Sequence, residues 1–496
     1  MKKSQILDDF KLLIRIAEGA IEILFLTAIF EAIWRVAYYG KAFPSSYAGR
    51  ELMLLIVVYV ILTVTVFALC DCFHYGYVKL GDLLVSQWVS AFIVNFLAYF
   101  ILCLAAHVAL NPGPMFLIFL MDAVVTAFCG LVYTAIYHRV YVPKNMLLIY
   151  ENESALDLKF KMDERNDKYA ITEIISAHLS RNEICKAISR HDAVVINDVA
   201  GTKRNDILKY CYENSVRTYV VPKVSDIILT SAQNITLFDT PLKLVKGRGL
   251  SLIQCFVKRT FDMILCLVAM IPAVPLMFII AAAIKIQDGG PVFYKQKRVT
   301  KDGKTFDILK FRSMVVDAES GGYDLSMRAN GKDPRITKVG SVIRATRVDE
   351  LPQLLNIIKG DMTIVGPRPE RVENVEAYSA EMPEWHFREK VKAGLTGYAQ
   401  IYGKYNTSAY DKLRLDLLYI ENYSLLLDIR LIFQTVRILF SKEATEGFDK
   451  AEELEAKRER LVKELTKETG GVSAGNSSGS YSVTTKKAER LSAMGE

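Results

Sequence analysis

The sequence predicts a membrane protein in which four transmembrane helices are followed by a soluble α/β unit and then a compact basic α/β domain. Three observations carry that reading. Of the 496 residues, 51% are hydrophobic and mean hydropathy is +0.19. Four apolar runs near the ~20 residues needed to cross a bilayer fill the N-terminal part. After them, short β-branched runs alternate with helical segments, and basic residues gather near turns. A net charge of +7 is modest for this length. It suits an anionic membrane surface or phosphorylated substrates and argues against a nucleic-acid binder. The eight cysteines (70, 72, 103, 129, 185, 211, 255, 266) form no CxxC pair and have no His at ligand spacing, so they are read as reduced, with no zinc site and no disulfide framework. No cleavable signal peptide is expected, because the first apolar run lacks a small-residue cleavage site.

The expected spans are residues 12–34, 51–70, 84–107 and 115–137, within a membrane domain 1–143. The first carries Glu18, Glu22 and Glu31, read as interfacial residues or as a face turned to other helices, with a functional intramembrane charge as the alternative. Asn111-Pro112-Gly113-Pro114 is a tight turn between the last two. Four spans return the chain to its starting side. Lys2, Lys3, Lys11 and Arg15 mark that side as cytoplasmic, against Arg35, Lys41 and Arg50 in the first outer loop.

Residues 144–250 read as an α/β unit with strands at Met146–Tyr150, Ala193–Ile196 and Arg217–Pro222 and a helical segment over Ile207–Asn214. The first strand runs into Glu151-Asn152-Glu153-Ser154. No glycine-rich turn is there to let backbone approach a pyrophosphate. A structural or regulatory module is the better reading.

The third domain spans 251–445. Residues 258–286 open with Lys258-Arg259-Thr260-Phe261-Asp262 and continue as an apolar run broken by Pro272 and Pro275. Two prolines three residues apart kink a helix. A re-entrant helix and a kinked spanning helix both fit the residues; the re-entrant form keeps the C-terminal third of the chain on the cytoplasmic side. A basic strand comes after Gly289-Gly290-Pro291. Phe306–Met314 alternates like a strand, with Lys310 and Arg312 on one face and Leu309 and Phe311 on the other. Gly360–Val365 leads into Gly366-Pro367-Arg368-Pro369, a rigid turn that fixes an arginine, and Gly394–Gln400 is a second Gly-bounded turn. Residues 409–441 read either as interfacial helices on the membrane or as core helices. Residues 446–496 are read as a Glu/Lys-rich helix (449–468) and a Gly/Ser/Thr-rich tail without structure from Gly470.

Chemistry concentrates at Ile343–Leu355. Pro352 suits the first position of a helix whose apolar residues are Leu354, Leu355, Ile357 and Ile358. Asp349 and Glu350 then sit at or just before a helix N-terminus. Acidic residues there are ordinary caps, but the same position also favours anion binding. Lys310, Arg344 and Arg368 lie near turns or element ends, and arginine and lysine are phosphate partners. An Asp beside Mg²⁺ and flanked by arginines can attack a phosphoryl group to give an acyl-phosphate. Mg²⁺ needs only one or two protein carboxylates when phosphate oxygens and water complete its shell.

Residues 258 to about 440 resemble the catalytic domain of the bacterial polyprenyl-phosphate sugar-phosphate transferases, the monotopic phosphoglycosyl transferase superfamily. The residues carrying the resemblance are Lys258-Arg259-Thr260-Phe261-Asp262, Lys310-Phe311-Arg312-Ser313-Met314, Asp349-Glu350-Leu351-Pro352-Gln353, Gly360-Asp361-Met362, Gly366-Pro367-Arg368-Pro369 and Thr396-Gly397-Tyr398-Ala399-Gln400, all in the family's order. The whole layout is similar to the large form, in which the middle domain is a degenerate Rossmann-like fold and the catalytic domain is anchored by a re-entrant, Pro-broken helix. The resemblance implies that UDP-sugar and undecaprenyl phosphate give undecaprenyl-diphosphate-sugar and UMP, with Mg²⁺, as the first membrane step of exopolysaccharide, capsule or O-antigen synthesis. Asp349 matches the nucleophile and Glu350 its partner in metal binding and acid–base work. Lys310, Arg344 and Arg368 match substrate-contacting positions. Pro275 matches the helix break; Val274 stands where a serine often precedes that proline, and Pro272 adds to or shifts the bend. The implied partners are the UDP-sugar, the polyprenyl phosphate, the bilayer of the bacterial inner membrane and a second copy of the chain. The sugar is not legible; glucose-1-phosphate or galactose-1-phosphate are the commonest among large members. A non-catalytic membrane scaffold of a polysaccharide assembly complex is the alternative, and a nucleotide-dependent sugar dehydratase or sensor built on the middle unit is a third reading.

Overall fold

A computed structural model of the chain describes residues 3–39, 49–76, 78–140, 143–151, 156–247, 249–316, 335–403, 407–439 and 480–482. The Glu/Lys-rich helix expected at 449–468 lies outside them. Two compact units emerge: residues 1–131 with 227–445, and residues 132–226 with 446–496.

The first unit opens with α1 (Lys3–Ala37), α2 (Arg50–Leu69), α3 (Leu80–Ala106) and α4 (Gly113–Val140). Large apolar side chains from all four meet in one cluster, among them Leu26, Phe30 and Trp34 of α1, Tyr59 and Phe67 of α2, Leu102 of α3 and Ile118 of α4. Phe30 stacks on Tyr59 with ring centroids 4.0 Å apart. Glu18 and Glu22 are buried, which selects the reading in which they face other helices. Glu22 accepts hydrogen bonds from the Tyr75 hydroxyl and from Gln87 Nε2, and Asn95 donates to Asp122 at 2.7 Å. Buried carboxylates in an apolar bundle need such partners.

The second unit contains β1 (Lys144–Tyr150), α5 (Leu156–Asp163), β2 (Tyr169–Ser176), α6 (Arg181–Ile188), β3 (Ala193–Asn197), α7 (Gly201–Glu213) and β4 (Arg217–Val220). The four strands are parallel in the order β2-β1-β3-β4. Leu147, Ile149, Val194 and Ile196 pack on the α6 and α7 side, while Met146, Leu148 and Val195 pack with Ile174 and Leu158 on the other. Both faces are covered, so the strands read as unbroken apolar runs. The Glu151 carboxylate accepts from the backbone N–H of Ala200 at the start of α7. A protein carboxylate from the end of β1 thus meets the N-terminal end of α7, the helix that follows the neighbouring strand β3.

α8 (Val224–Thr230) leads into a hairpin of β5 (Gln233–Leu237) and β6 (Thr240–Leu244), then α9 (Leu252–Asp288). Among the described residues, four helices are long and apolar enough to cross a membrane: α2 from Leu52, α3, α4 to Arg139, and α9. The expected span at 12–34 is not one of them. It lies in α1, which is long enough but carries Arg15, Glu18, Glu22, Glu31 and Arg35. α9 starts at a Ser251–Gln254 capping box and stops at Gly289 in the left-handed region. It runs through Pro272 and Pro275 without interruption, where a break is expected from the sequence. Each proline removes one bond from the ladder of a 37-residue helix, and the remaining bonds keep it continuous.

The rest of the unit follows α9 in the chain and packs along it: hairpin strands β7 (Phe293–Val299) and β8 (Thr305–Phe311), α10 (Lys338–Ala345), a 3₁₀ turn at Val348–Glu350, α11 (Gln353–Lys359), β9 (Thr363–Val365), α12 (Val372–Glu381), β10 (Gly394–Thr396), α13 (Tyr398–Tyr402), α14 (Ala409–Glu421) and α15 (Leu425–Leu439). β9 and β10 form a short parallel pair. α14 buries Leu413, Leu417 and Tyr419 and α15 buries Leu431, so these helices are part of the core. β11 (Ser480–Ser482) pairs antiparallel with the edge of β2, in a tail whose composition predicts no structure.

The Lys258–Asp262 motif is an anchor. Lys258 Nζ donates to Asp428 at 2.6 Å, Arg259 donates to the carbonyls of Ile357 and Ile358 that end α11, and Asp262 accepts from the Thr363 hydroxyl. The Lys258 and Asp428 side chains are only 7% and 1% exposed. Removing one member of such a pair strands the other charge. Lys258→Met is therefore expected to destabilise the fold by roughly 3–5 kcal/mol, measured by denaturant unfolding in detergent, with Lys258→Met/Asp428→Leu recovering most of the loss.

Candidate active site

Local chemistry places the acidic pair on a tight turn. α10 ends at Thr346, and Arg347 adopts a left-handed backbone (φ 54°) that turns the chain into the 3₁₀ turn. A non-glycine residue there is strained and is held by its surroundings. Asp349 and Glu350 occupy this turn, and Pro352 caps α11 two residues later. The pair thus precedes the helix by one short turn.

The two carboxylates face different surroundings. Lys310 Nζ, from β8, donates to Glu350 Oε1 at 2.8 Å, and Arg368 Nη2 approaches the same oxygen at 3.5 Å. Burial works against the Glu350 charge, yet Lys310, Arg368 and Arg347 outweigh it and hold the carboxyl below its ordinary range. Asp349 goes the other way. Burial, helped by the Glu350 charge, raises its carboxyl above the ordinary range against the opposing pull of Lys310 and Arg344. Neighbouring carboxylates whose environments push them apart are suited to different tasks.

Asp349 lines a cavity of about 660 Å³ with Lys310, Arg344, Tyr294, Arg298 and Arg371. A second cavity of about 360 Å³ lies on the Glu350 side, with Arg347 and Arg368 at one end and Leu351, Leu354, Ile432 and Val436 along its walls. Both fall in the range of ligand cavities. The expected residues Asp349, Glu350, Lys310, Arg344 and Arg368 therefore converge. Pro272 and Pro275 lie in α9 and line neither cavity. Arg312 lines the same cavity as Lys310, as their shared parity expects, and it also pairs with Asp288 and donates to the Pro291 carbonyl at 2.7 Å, closing the end of α9. Lys310 shares its parity with the buried Phe306 and Ile308, and Phe311, of the opposite parity, is buried as well. Arg298 and Arg371 join the cavity without being singled out by the sequence. A signal for Arg298 exists: Tyr294, Gln296 and Arg298 alternate on the less exposed face of β7.

The loops that present Arg368 pack glycine against glycine. A Cβ on Gly394 would meet Gly366 N at 2.1 Å, and one on Gly397 would meet Gly366 O at 2.1 Å. Buried Arg388 pairs with Asp416 and donates Nη2 to the Arg368 carbonyl at 2.9 Å. This fixes the backbone from which the Arg368 guanidinium reaches Glu350.

Among the described residues no group of three or more His, Cys, Asp or Glu could hold a metal. Two adjacent carboxylates beside cationic phosphate-binding side chains fit Mg²⁺, which takes much of its shell from phosphate and water. They do not fit an ion that needs a full protein ligand set.

The profile of the bacterial sugar transferase family matches residues 253–442. The chain is 36% identical over 259 residues to the UDP-N-acetylgalactosamine-undecaprenyl-phosphate N-acetylgalactosaminephosphotransferase of Aeromonas hydrophila, covering 51% of this chain and 60% of that protein. It is 34% identical to the UDP-glucose:undecaprenyl-phosphate glucose-1-phosphate transferase of Klebsiella pneumoniae, covering 50% and 52%. The chain thus spans little more than half the length of these two relatives. It is 38% identical to the exopolysaccharide production protein ExoY of Sinorhizobium fredii over 191 residues, which cover 83% of that protein and 36% of this chain. On this match, and on the site that the matched residues build, the chain belongs to the bacterial sugar transferase family.

Proposed function

We propose that the protein transfers a sugar-1-phosphate from a UDP-sugar to undecaprenyl phosphate and releases UMP. The observation that carries this reading is the placement of Asp349 in the wall of a cationic cavity while Glu350 beside it is held charged by Lys310 and Arg368. The names of the Aeromonas and Klebsiella relatives support it. The Asp349 carboxylate attacks the β-phosphorus of the UDP-sugar. The bond from that phosphorus to the bridging oxygen breaks, and UMP leaves with the electron pair. An oxygen of undecaprenyl phosphate then attacks the aspartyl phosphorus, which frees the Asp349 carboxylate. Glu350 takes any proton that the incoming phosphate carries. Lys310, Arg344 and Arg368 bind the phosphoryl oxygens and offset the repulsion between carboxylate and phosphate. Bound at Asp349 and Glu350, Mg²⁺ would neutralise diphosphate charge. In this reading α9 bends at Pro272 and Pro275 within its continuous helix, so that it enters and leaves the membrane by one face, the catalytic domain sits on the cytoplasmic face of the inner membrane, and the middle unit is a degenerate Rossmann-like module without a nucleotide.

Membranes holding the protein, given undecaprenyl phosphate and a panel of UDP-sugars including UDP-glucose and UDP-N-acetylgalactosamine, are expected to release UMP with at least one donor. Asp349→Asn should lower that rate by on the order of 10³-fold or more, as for loss of a nucleophile. A variant that keeps UMP release would sink the assignment.

The acid limb of the rate follows from the charge state of Asp349. Its carboxyl lies above the ordinary range, so the nucleophile is lost on acidification earlier than an ordinary aspartate would be. Lys310→Gln removes a cation that lowers both carboxyls. The residual activity of that variant should have its acid limb moved to higher pH in a pH–rate profile. An unmoved limb would exclude Asp349 and Glu350 as the titrating groups.

A further inference from the structure

α15 has two working faces. Arg430, Phe433, Gln434 and Arg437 recur at helical spacing on one of them. Arg430 and Gln434 both donate to the Asp71 carboxylate, in the turn between α2 and α3. Phe433 packs on the apolar cluster of the four-helix bundle, and Arg437 Nη1 donates to Ser86 of α3 at 3.4 Å. Ile432, Thr435 and Val436 recur on the other face and line the apolar cavity beside Glu350. Thr435 also exchanges a 2.6 Å hydrogen bond with Thr396, another residue lining that cavity. One helix is thus at once the docking strip of the membrane bundle and a wall of a cavity next to the acidic pair.

The cavity's chemistry selects its occupant. Its cationic end holds Arg347 and Arg368 beside Glu350, and its walls are aliphatic. A molecule with an anionic head and a hydrocarbon chain matches both halves; a nucleotide sugar, polar along its length, does not. The larger cavity on the Asp349 side, lined by several cations, suits the nucleotide sugar instead. Asp71 is itself held in place. Its backbone is left-handed (φ 58°) and its side chain is 11% exposed, so it presents its carboxylate to α15 from a fixed turn.

We infer that Asp71 is a positioning residue for the lipid acceptor: through Arg430 and Gln434 it holds α15 as the wall of the pocket that takes the phosphate-proximal end of the polyprenyl phosphate. The inference rests on the proposed transfer reaction. It adds a role for the N-terminal bundle, which sets the shape of the acceptor pocket and leaves the donor pocket alone.

The test measures steady-state UMP release by the full-length protein in lipid nanodiscs, varying undecaprenyl phosphate and the accepted UDP-sugar separately. Asp71→Ala is expected to raise the KM for undecaprenyl phosphate by about fivefold or more and to leave the KM for the UDP-sugar unchanged. Asp71→Glu, which keeps the charge, should restore most of the difference. A general loss of folded protein would lower the rate at saturation without separating the two KM values. Val436→Phe fills the same pocket from the other face of α15 and should give the same split, which keeps the test available if Asp71→Ala does not accumulate. Equal changes in both KM values, or an unchanged lipid KM in either active variant, would overturn the inference. Wild-type protein that releases no UMP would instead overturn the transfer reaction itself.

Discussion

Two carboxylates side by side on a half-buried turn repel each other, and the site depends on how that repulsion is resolved. Lys310 resolves it unequally. Its ammonium sits 2.8 Å from Glu350, where with Arg368 and Arg347 it outweighs the cost of burial, while at Asp349 burial is not offset and the carboxyl is pushed up. The rest of the third domain can be traced from that ion pair. β8 must bring Lys310 inward, so Asn356 of α11 binds both Leu309 N and the Asp307 carbonyl along that strand. Arg368 must reach the same carboxylate from the far side, so Gly366, Gly394 and Gly397 pack without side chains and Arg388 grips the Arg368 carbonyl. The acids, the lysine and the arginine come from separate segments, and α9 ties the surrounding elements together through Lys258, Arg259 and Asp262.

Much of this is legible in the sequence, and the reasons are physical. The helix after Pro352 carries its apolar residues at helical spacing. The parallel strands of the middle unit are unbroken apolar runs, as strands buried on both faces must be. The site residues can be gathered because Lys310, Arg344 and Arg368 fall near turns or element ends and because their motifs, with Asp349-Glu350, resemble those of one family in order. β2 is harder to see because Thr172 and Glu173 interrupt its isoleucines, and the register shift opposite Met146 and Leu147 disturbs its alternation. The continuity of α9 is not legible either: a local rule says that proline weakens a helix, and only the whole helix says whether it still runs on.

What no local pattern shows is contact across long chain separation. Arg430 and Asp71 lie 359 positions apart and belong to segments that read as separate domains. Residues 409–441 alone leave an interfacial helix and a core helix equally open. In the structure α15 serves the core through Leu431 and Asp428, the bundle through Phe433 and Arg430, and the cavity through Ile432 and Val436. The polar pattern on α15 is explained by a partner near the start of the chain, which only the assembled fold reveals.

The proposed mechanism stands or falls on Asp349 becoming covalently bonded to the sugar phosphate. That bond is read by mass spectrometry of the purified protein after incubation with an accepted UDP-sugar and Mg²⁺ and no lipid acceptor, with peptide mapping at low pH. The mechanism predicts a mass gain of one sugar phosphate on the peptide containing Asp349, discharged when undecaprenyl phosphate is added. Turnover to UMP and lipid-linked sugar with no adduct at any stage, or an adduct on a different residue, would contradict it.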